Sequence, residues 1–258
     1  MESFFPSEAV QIAFQAGIGL LLGSFIGLLS VRLPAGETWI WTRSRCRSCE
    51  EPLSPVHLVP LVSWLVQRGR HSSCGARISI RYPLLEIISA LIGAGAAWMS
   101  PGLPGLLGAI LGWQLLLIGL VDAEHLWLPD HLTIPLAMTG VGAALLEPAS
   151  LISRLAGGLF GFAFLTGLAW AFRRLRGKEG LGGGDPLLLA GIGCWLGLAS
   201  IPGLLLCASI LGIAWGVIAQ KLANADQEMR LPFGTFMAIA AVCVWSTNAL
   251  EAAQSLRG

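Results

Sequence analysis

Long apolar runs separated by short polar breaks set the pattern of this chain. They cover approximately 10–31, 83–99, 103–121, 131–147, 151–172, 186–200, 202–219 and 233–250, the sixth and seventh parted only by "SIPG". Crossing the ~30 Å hydrocarbon core of a bilayer takes about 20 mainly apolar residues in helical form. The backbone must also satisfy its own hydrogen bonds there. The runs are unbroken rather than alternating, so they predict helices and not the strands of a barrel. The first run is not expected to be a cleaved leader. It is flanked by Glu2 and Glu8 rather than by cations, and its apolar stretch is too long. The expected fold class is therefore an all-α integral membrane protein of about eight transmembrane helices.

Composition agrees with the pattern. The chain is 55% hydrophobic and 12% charged, against about 25% charge in ordinary soluble domains. The net charge of +1 carries little information, but its distribution carries a great deal. Fourteen of the 16 basic residues fall in three breaks, 32–81, 173–178 and 220–232, leaving only Arg154 and Arg257 elsewhere. With eight spans these three loops share one side. The excess of cations predicts that this side is cytoplasmic and that both termini lie outside. No nucleic-acid partner is expected.

The one substantial hydrophilic segment, 32–81, is too short to fold unaided as an ordinary soluble domain. It contains "CRSC" at 46–49 and "HSSC" at 71–74. Together these offer Cys46, Cys49, His71 and Cys74, a Cys3His set suited to tetrahedral zinc. A reducing cytoplasm makes disulfides the weaker explanation. Unliganded thiols or a redox pair remain the other readings. Four protein ligands leave no open position, so the zinc would be structural. His57 is expected to pack within the loop, and His125 and His131 to meet nearby carboxylates. Cys194, Cys207 and Cys243 lie in apolar spans and are read as small packing residues. Glycines at four-residue spacing, Gly19, Gly23 and Gly27 in the first span and Gly212 and Gly216 in the seventh, predict close helix packing inside one bundle, with a dimerisation stripe as the alternative.

Ionisable groups at membrane depth are costly and mark functional candidates. "VDAEHLWLPD" at 121–130 joins the third and fourth spans, and Asp185 stands just before the sixth, behind Gly182, Gly183 and Gly184. Helix capping could account for Asp185, which precedes Pro186, and for Asp130. It does not account for Asp122, which falls at the carboxyl end of a helix where the dipole disfavours a negative charge. A second carboxylate sharing a proton would give Asp122 a role. The ionised member of such a pair activates water, and the protonated one donates to a carbonyl oxygen. Glycines at 182–184 would permit φ > 0 and close approach of a substrate backbone.

The combination of "GKEGLGGGD" at 177–185 and "VDAEHLWLPD" resembles the type IV prepilin peptidases, membrane aspartic proteases of the GxGD kind. "GSFIGLLSVRLP" at 23–34, "SRCRSC", "PLVSWLVQRGR" and "CGARISIRYPLLE" follow in family order, so the likeness covers most of the chain. The resemblance implies a bifunctional enzyme of the bacterial inner membrane. It would cleave the leader from prepilins or pseudopilins after a glycine at the cytoplasmic face. It would then methylate the new amino terminus with S-adenosylmethionine. The resemblance makes Asp122 and Asp185 the catalytic pair and Asp130 secondary, and it assigns the four-ligand loop to the bifunctional form. It divides the chain into a first transmembrane helix (1–31), a cytoplasmic zinc-binding loop domain (32–82) and a seven-helix membrane aspartic peptidase domain (83–258). The sequence departs from the family at three positions: His71 replaces a cysteine, Gly27 an asparagine and Leu187 a lysine. No glycine-rich nucleotide motif marks the methyl-donor site. A proton-coupled transporter with intramembrane carboxylates would place its acids at mid-depth in two matching halves, and a zinc-bearing scaffold would leave Asp122 without a purpose.

Overall fold

The computed structural model describes residues 7–38, 43–147, 150–178, 182–222 and 231–255. Glu2, Pro148, Glu179, Gly180, Leu181, Arg230 and Arg257 lie outside them. Among the described residues the elements are all helical: α1 (Glu8–Arg32), α2 (Val62–Val66), α3 (Arg81–Met99), α4 (Leu103–His125), α5 (Asp130–Leu146), α6 (Leu151–Arg176), α7 (Asp185–Leu196), α8 (Ile201–Leu222) and α9 (Phe233–Ser255). Six helices are long and apolar enough to cross a membrane, and α5 and α7 are shorter apolar helices. Large apolar side chains such as Leu159, Ile210 and Ile213 stand exposed along α6 and α8, as contact with hydrocarbon requires. The chain divides into two compact units, Met1–Trp113 and Gln114–Gly258.

In the first unit α1 lies against α3 along its glycine stripe. A methyl group on Gly19 would strike the Ser89 carbonyl oxygen, and one on Gly23 would sit 2.6 Å from the Leu85 carbonyl oxygen. Gly27 faces the Tyr82 ring, and Gly93 of α3 returns the favour by approaching the Gln15 backbone. The stripe is thus consumed by packing within the chain, as small-residue helix faces allow. Trp113, on α4, donates its indole N–H to the Ser89 carbonyl at 2.9 Å.

Between α1 and α3 the chain makes two hairpin turns of the same design. Antiparallel bridges pair Arg45 with Pro52 and Arg70 with Arg77. Inside each, the first ligand residue is bonded both ways: Cys46 N–H to Glu51 O and Glu50 N–H to Cys46 O, then His71 N–H to Ala76 O and Gly75 N–H to His71 O. The fifth residue of each turn is left-handed, Glu50 at φ 57° and Gly75 at φ 70°. This small structural repeat is visible in the sequence only as the shared "x-x-S-C".

The second unit surrounds α7. Nine of its 12 residues are buried, which explains a helix apolar on all sides. Glycines set its neighbours close: Gly157 and Gly158 of α6 approach Gly197 and Cys194, and Gly191 of α7 approaches Leu136 of α5. Trp195 donates to the Leu136 carbonyl at 3.0 Å. Twelve residues of helix extend about 18 Å, short of a full crossing. The apolar run expected over 186–200 therefore resolves into a helix that stops at Gly197 (φ 82°) and a 3-10 turn, Leu198–Ser200, that leads into α8. The glycine stripe of α8 packs more loosely, with Gly212 facing Phe236 and Gly216 facing Leu231. Arg154 at the start of α6 pairs with Glu147.

Candidate functional site

Asp122 and Asp185 are both buried, at 5% and 4% exposure. In the second unit Leu128 meets both Gly184, next to Asp185, and Gly234, beside Asp122, so the two carboxylates of the sequence reading share one neighbourhood.

Asp122 occupies the last turn of α4 and is committed to a different helix. Its Oδ2 accepts the Thr235 backbone N–H at 2.7 Å and lies 3.1 Å from the Thr235 hydroxyl. Thr235 is the third residue of α9, so Asp122 satisfies a donor that a helix N-terminus leaves open. The α9 dipole favours the negative charge that the α4 dipole disfavours. Capping does reach Asp122 after all, but across 113 residues of sequence. The Thr235 hydroxyl also lies 2.9 Å from the Gly119 carbonyl oxygen of α4. It has one proton and chooses between the two acceptors. Thr235 was missed by sequence reasoning. Its only local signal is "PFGT", a proline and a glycine opening an apolar helix.

Asp185 is the first residue of α7, yet its carboxylate is not a cap. Its Oδ2 turns back to accept the Gly182 N–H at 2.9 Å. Oδ1 receives no hydrogen bond among the described residues. The glycines before it serve sterics rather than positive φ, since none of Gly182, Gly183 and Gly184 is left-handed. A methyl on Gly184 would strike the Leu128 carbonyl oxygen and Cβ, whereas Gly183 faces open space. Leu128 also reaches Gly234, whose added methyl would lie 2.7 Å from Leu128 Cδ1 and 2.9 Å from Asp122 Oδ2. Leu128 thus lies against the glycine beside each aspartate. Asp130 begins α5 after Pro129 without a side-chain cap bond. His131 packs on Trp127 edge to face, and His125 sits 3.9 Å from Glu124.

In the first unit the ligand atoms of Cys46, Cys49, His71 and Cys74 all lie within 4.8 Å of one another. Cys46 Sγ is 3.8 Å from Cys74 Sγ, and His71 Nδ1 is 3.7 Å from Cys49 Sγ and 3.3 Å from Cys74 Sγ. A tetrahedron of ~2.3 Å zinc–sulfur bonds has edges of about 3.8 Å. Geometry and donor chemistry both fit that metal. His71 is buried, and His57 meets its ring edge-on at 6.2 Å without joining the cluster. Of the remaining cysteines, Cys194 is buried, Cys207 half-buried and Cys243 exposed.

Residues 18–100 match the model of the bacterial peptidase A24 N-terminal domain, and residues 109–217 that of the type IV leader peptidase family. The prepilin leader peptidase/N-methyltransferase of Aeromonas hydrophila is 40% identical over 247 residues, covering 86% of this chain and 85% of the relative. The protein of that name from Pseudomonas aeruginosa is 37% identical over 249 residues, 86% of each chain. The one from Xanthomonas campestris is 34% identical over 265 residues, 92% of each. No solved structure matches the chain.

Proposed function

The chain belongs to the type IV leader peptidase family, and from that premise we propose that it removes the leader of prepilins or pseudopilins and then methylates the new amino terminus. The observation that carries the peptidase reading is the buried pair Asp122 and Asp185, delivered by separate helices, with Leu128 against the glycine beside each. In this reading the ionised aspartate takes a proton from water as its oxygen attacks the scissile carbonyl carbon. The protonated aspartate donates to the carbonyl oxygen. Collapse of the tetrahedral adduct breaks the C–N bond, and the leaving amine takes the proton that the first aspartate removed from water. Oδ1 of Asp185, which no described residue bonds, is the oxygen left for the water, and Gly183, against open space, lets a substrate strand approach.

Cys46, Cys49, His71 and Cys74 would hold a structural zinc, which closes the two hairpin turns on each other. When bound, S-adenosylmethionine supplies an electrophilic methyl group to the new terminal amine. The functional parts of the chain are the first helix (1–31), the zinc-binding loop (32–82) and the membrane peptidase region (83–258). The clustering of cations supports eight spans in the bacterial inner membrane, with α5 as one further span and α7 together with the turn Leu198–Ser200 as the other. It also supports a cytoplasmic catalytic face. Prepilin helices would enter from the bilayer.

Purified full-length protein in detergent, given a synthetic prepilin and the methyl donor, should yield a shortened pilin 14 mass units heavier than the cleaved product alone, an expected gain of about one methylene in mass for N-methylation of an amine. An intact substrate overturns the peptidase reading. A cleaved but unmethylated product overturns the methyltransferase reading alone.

A further inference from the structure

The first unit contains a cavity of about 690 Å³ between the carboxyl half of α1, the hairpin loop and the first turns of α3. Its size falls in the ~300–1,000 Å³ range of small-molecule sites. Five arginines line it: Arg32 and Arg81 from the helix ends, and Arg45, Arg47 and Arg77 from the loop. Glu86 is the one acid among the described lining residues, and its carboxylate already accepts the Leu61 N–H at 2.7 Å. The wall is therefore strongly positive, which favours an anion.

The helix-end arginines are engaged within the chain. Arg81 donates to the Ser30 hydroxyl at 2.8 Å, and Arg32 reaches the Thr38 and Arg43 carbonyls at 3.4 and 3.3 Å. The loop arginines differ: no ion pair or side-chain hydrogen bond engages Arg45, Arg47 or Arg77 among the described residues. Arg77 also stands opposite Arg70 in the bridge at the neck of the second hairpin turn. Like charges directly opposite each other destabilise such a pair, and a bound anion offsets that cost. Another part of the lining is apolar. Phe25, Leu28 and Arg32 recur at i, i+3 and i+7 on α1, so one face of this helix runs from apolar to cationic as the helix ends. A phospholipid presents its acyl chains and its phosphate in that order.

We propose that this cavity binds the phosphate headgroup of an anionic phospholipid, with Arg45, Arg47 and Arg77 toward the phosphate and Phe25 and Leu28 toward the acyl chains. Guanidinium groups suit phosphate because their planar fork donates to two oxygens at once. Arginines clustered just beyond a membrane helix attract anionic lipid through the same charge. A free phosphate shares the headgroup's chemistry but leaves the apolar face of α1 uncovered, so a lipid matches both parts of the lining. A headgroup held there fastens the metal-binding loop to the leaflet surface. The inference depends on α1 and α3 being membrane helices and on neither enzymatic activity, so its failure leaves the peptidase and methyltransferase readings untouched.

The test is binding of labelled phosphatidylglycerol to purified full-length protein in neutral detergent at low salt. Phosphatidylcholine and inorganic phosphate form separate arms, and zinc per chain is measured on each sample. Each cation beside a charged headgroup contributes about fivefold, so the triple variant Arg45→Gln, Arg47→Gln, Arg77→Gln should bind phosphatidylglycerol about a hundredfold more weakly. Lysine at the same three positions keeps the charge and should stay within about tenfold of wild type. The triple variant Arg173→Gln, Arg174→Gln, Arg176→Gln removes as many cations from the last turn of α6, and it should stay within about threefold. Wild-type protein that binds phosphatidylcholine as tightly as phosphatidylglycerol overturns the assignment. Equal weakening by the α6 triple also overturns it, because a diffuse positive field then explains the binding. Full displacement of the lipid by inorganic phosphate gives the cavity to a soluble anion and overturns the lipid. If the loop triple loses zinc, Arg77→Gln alone decides: with zinc retained, about fivefold weaker binding supports the site, and unchanged binding overturns it.

Discussion

The ligands of the loop are set by bonds that span four or five residues, such as Cys46 N–H to Glu51 O and His71 N–H to Ala76 O. Asp122, in contrast, takes its hydrogen bonds from Thr235, 113 residues away, and Gly184, next to Asp185, meets Leu128, which belongs to the break between α4 and α5. Two sites in one chain therefore differ in how they are specified. The first needs two short turns and a metal to join them. The second needs several helices to be packed before either carboxylate has its surroundings. The loop should fail by losing metal, and the aspartate site by losing spacing or charge.

The sharpest way to sharpen that contrast is to remove the acid–base chemistry without the packing. Asparagine can still accept from Thr235 and Gly182, so Asp122→Asn and Asp185→Asn should insert and accumulate normally. Leader cleavage should nevertheless fall at least about a thousandfold, within the range that acid–base groups contribute. Near-normal cleavage by either variant in a purified assay would break the catalytic assignment.

The complementary experiment empties the loop. His71→Ala should reduce zinc well below one per chain by elemental analysis, since a direct ligand is worth more than the ~10–100-fold carried by an outer-shell partner. His71→Cys should retain zinc, because thiolate and imidazole both suit the metal. Cleavage should change by no more than about threefold in either variant, against a large loss of methylation in His71→Ala. Zinc retained in full by His71→Ala would remove His71 from the ligand set.

A smaller effect is expected from spacing alone. Gly184→Ala places a methyl where the Leu128 carbonyl stands, and backbone cannot yield as a flexible side chain does. Cleavage should drop about a hundredfold, as misplacement by ~1 Å can cost, with zinc unchanged. A fully active alanine variant would show that the contact with Leu128 does not position Asp185. Gly142→Ala on α5, which meets open space, is the matched control. Smallest of all, Thr235→Val keeps the backbone N–H on Asp122 and deletes the hydroxyl. A loss of about tenfold in kcat follows from one hydrogen bond to a charged group, and an unchanged kcat would assign the hydroxyl to the Gly119 carbonyl instead.

How much of this was legible in advance differs in the same way. The helical class followed from the length of apolar runs, because a bilayer demands that length whatever the neighbours are. The ligand quartet followed from two X-x-x-C pairs, because their geometry is local. The glycine stripe was read correctly as intramolecular packing. For the glycines before Asp185, φ > 0 and close approach of a substrate backbone were both expected: none of the three has positive φ, and Gly184 instead leaves room for Leu128 while Gly182 donates its N–H. Asp185 was open to reading as a cap and turns away from its own helix, whereas Asp122 seemed to have no capping role and caps α9.

What the sequence by itself determined is therefore whatever depends on spacing along the chain: membrane helices, cation-rich loops, and the Cys46, Cys49, His71 and Cys74 set. What only the tertiary structure decided is whatever depends on a partner far along the chain. Thr235 as the anchor of Asp122, the approach of Leu128 to Gly184 and Gly234, and the burial of most of α7 all belong to this second kind. Periodicity and motif spacing encode which residues can form a helix or a turn. Hydrogen-bond partners and steric limits are set by atoms that meet only once the helices have packed.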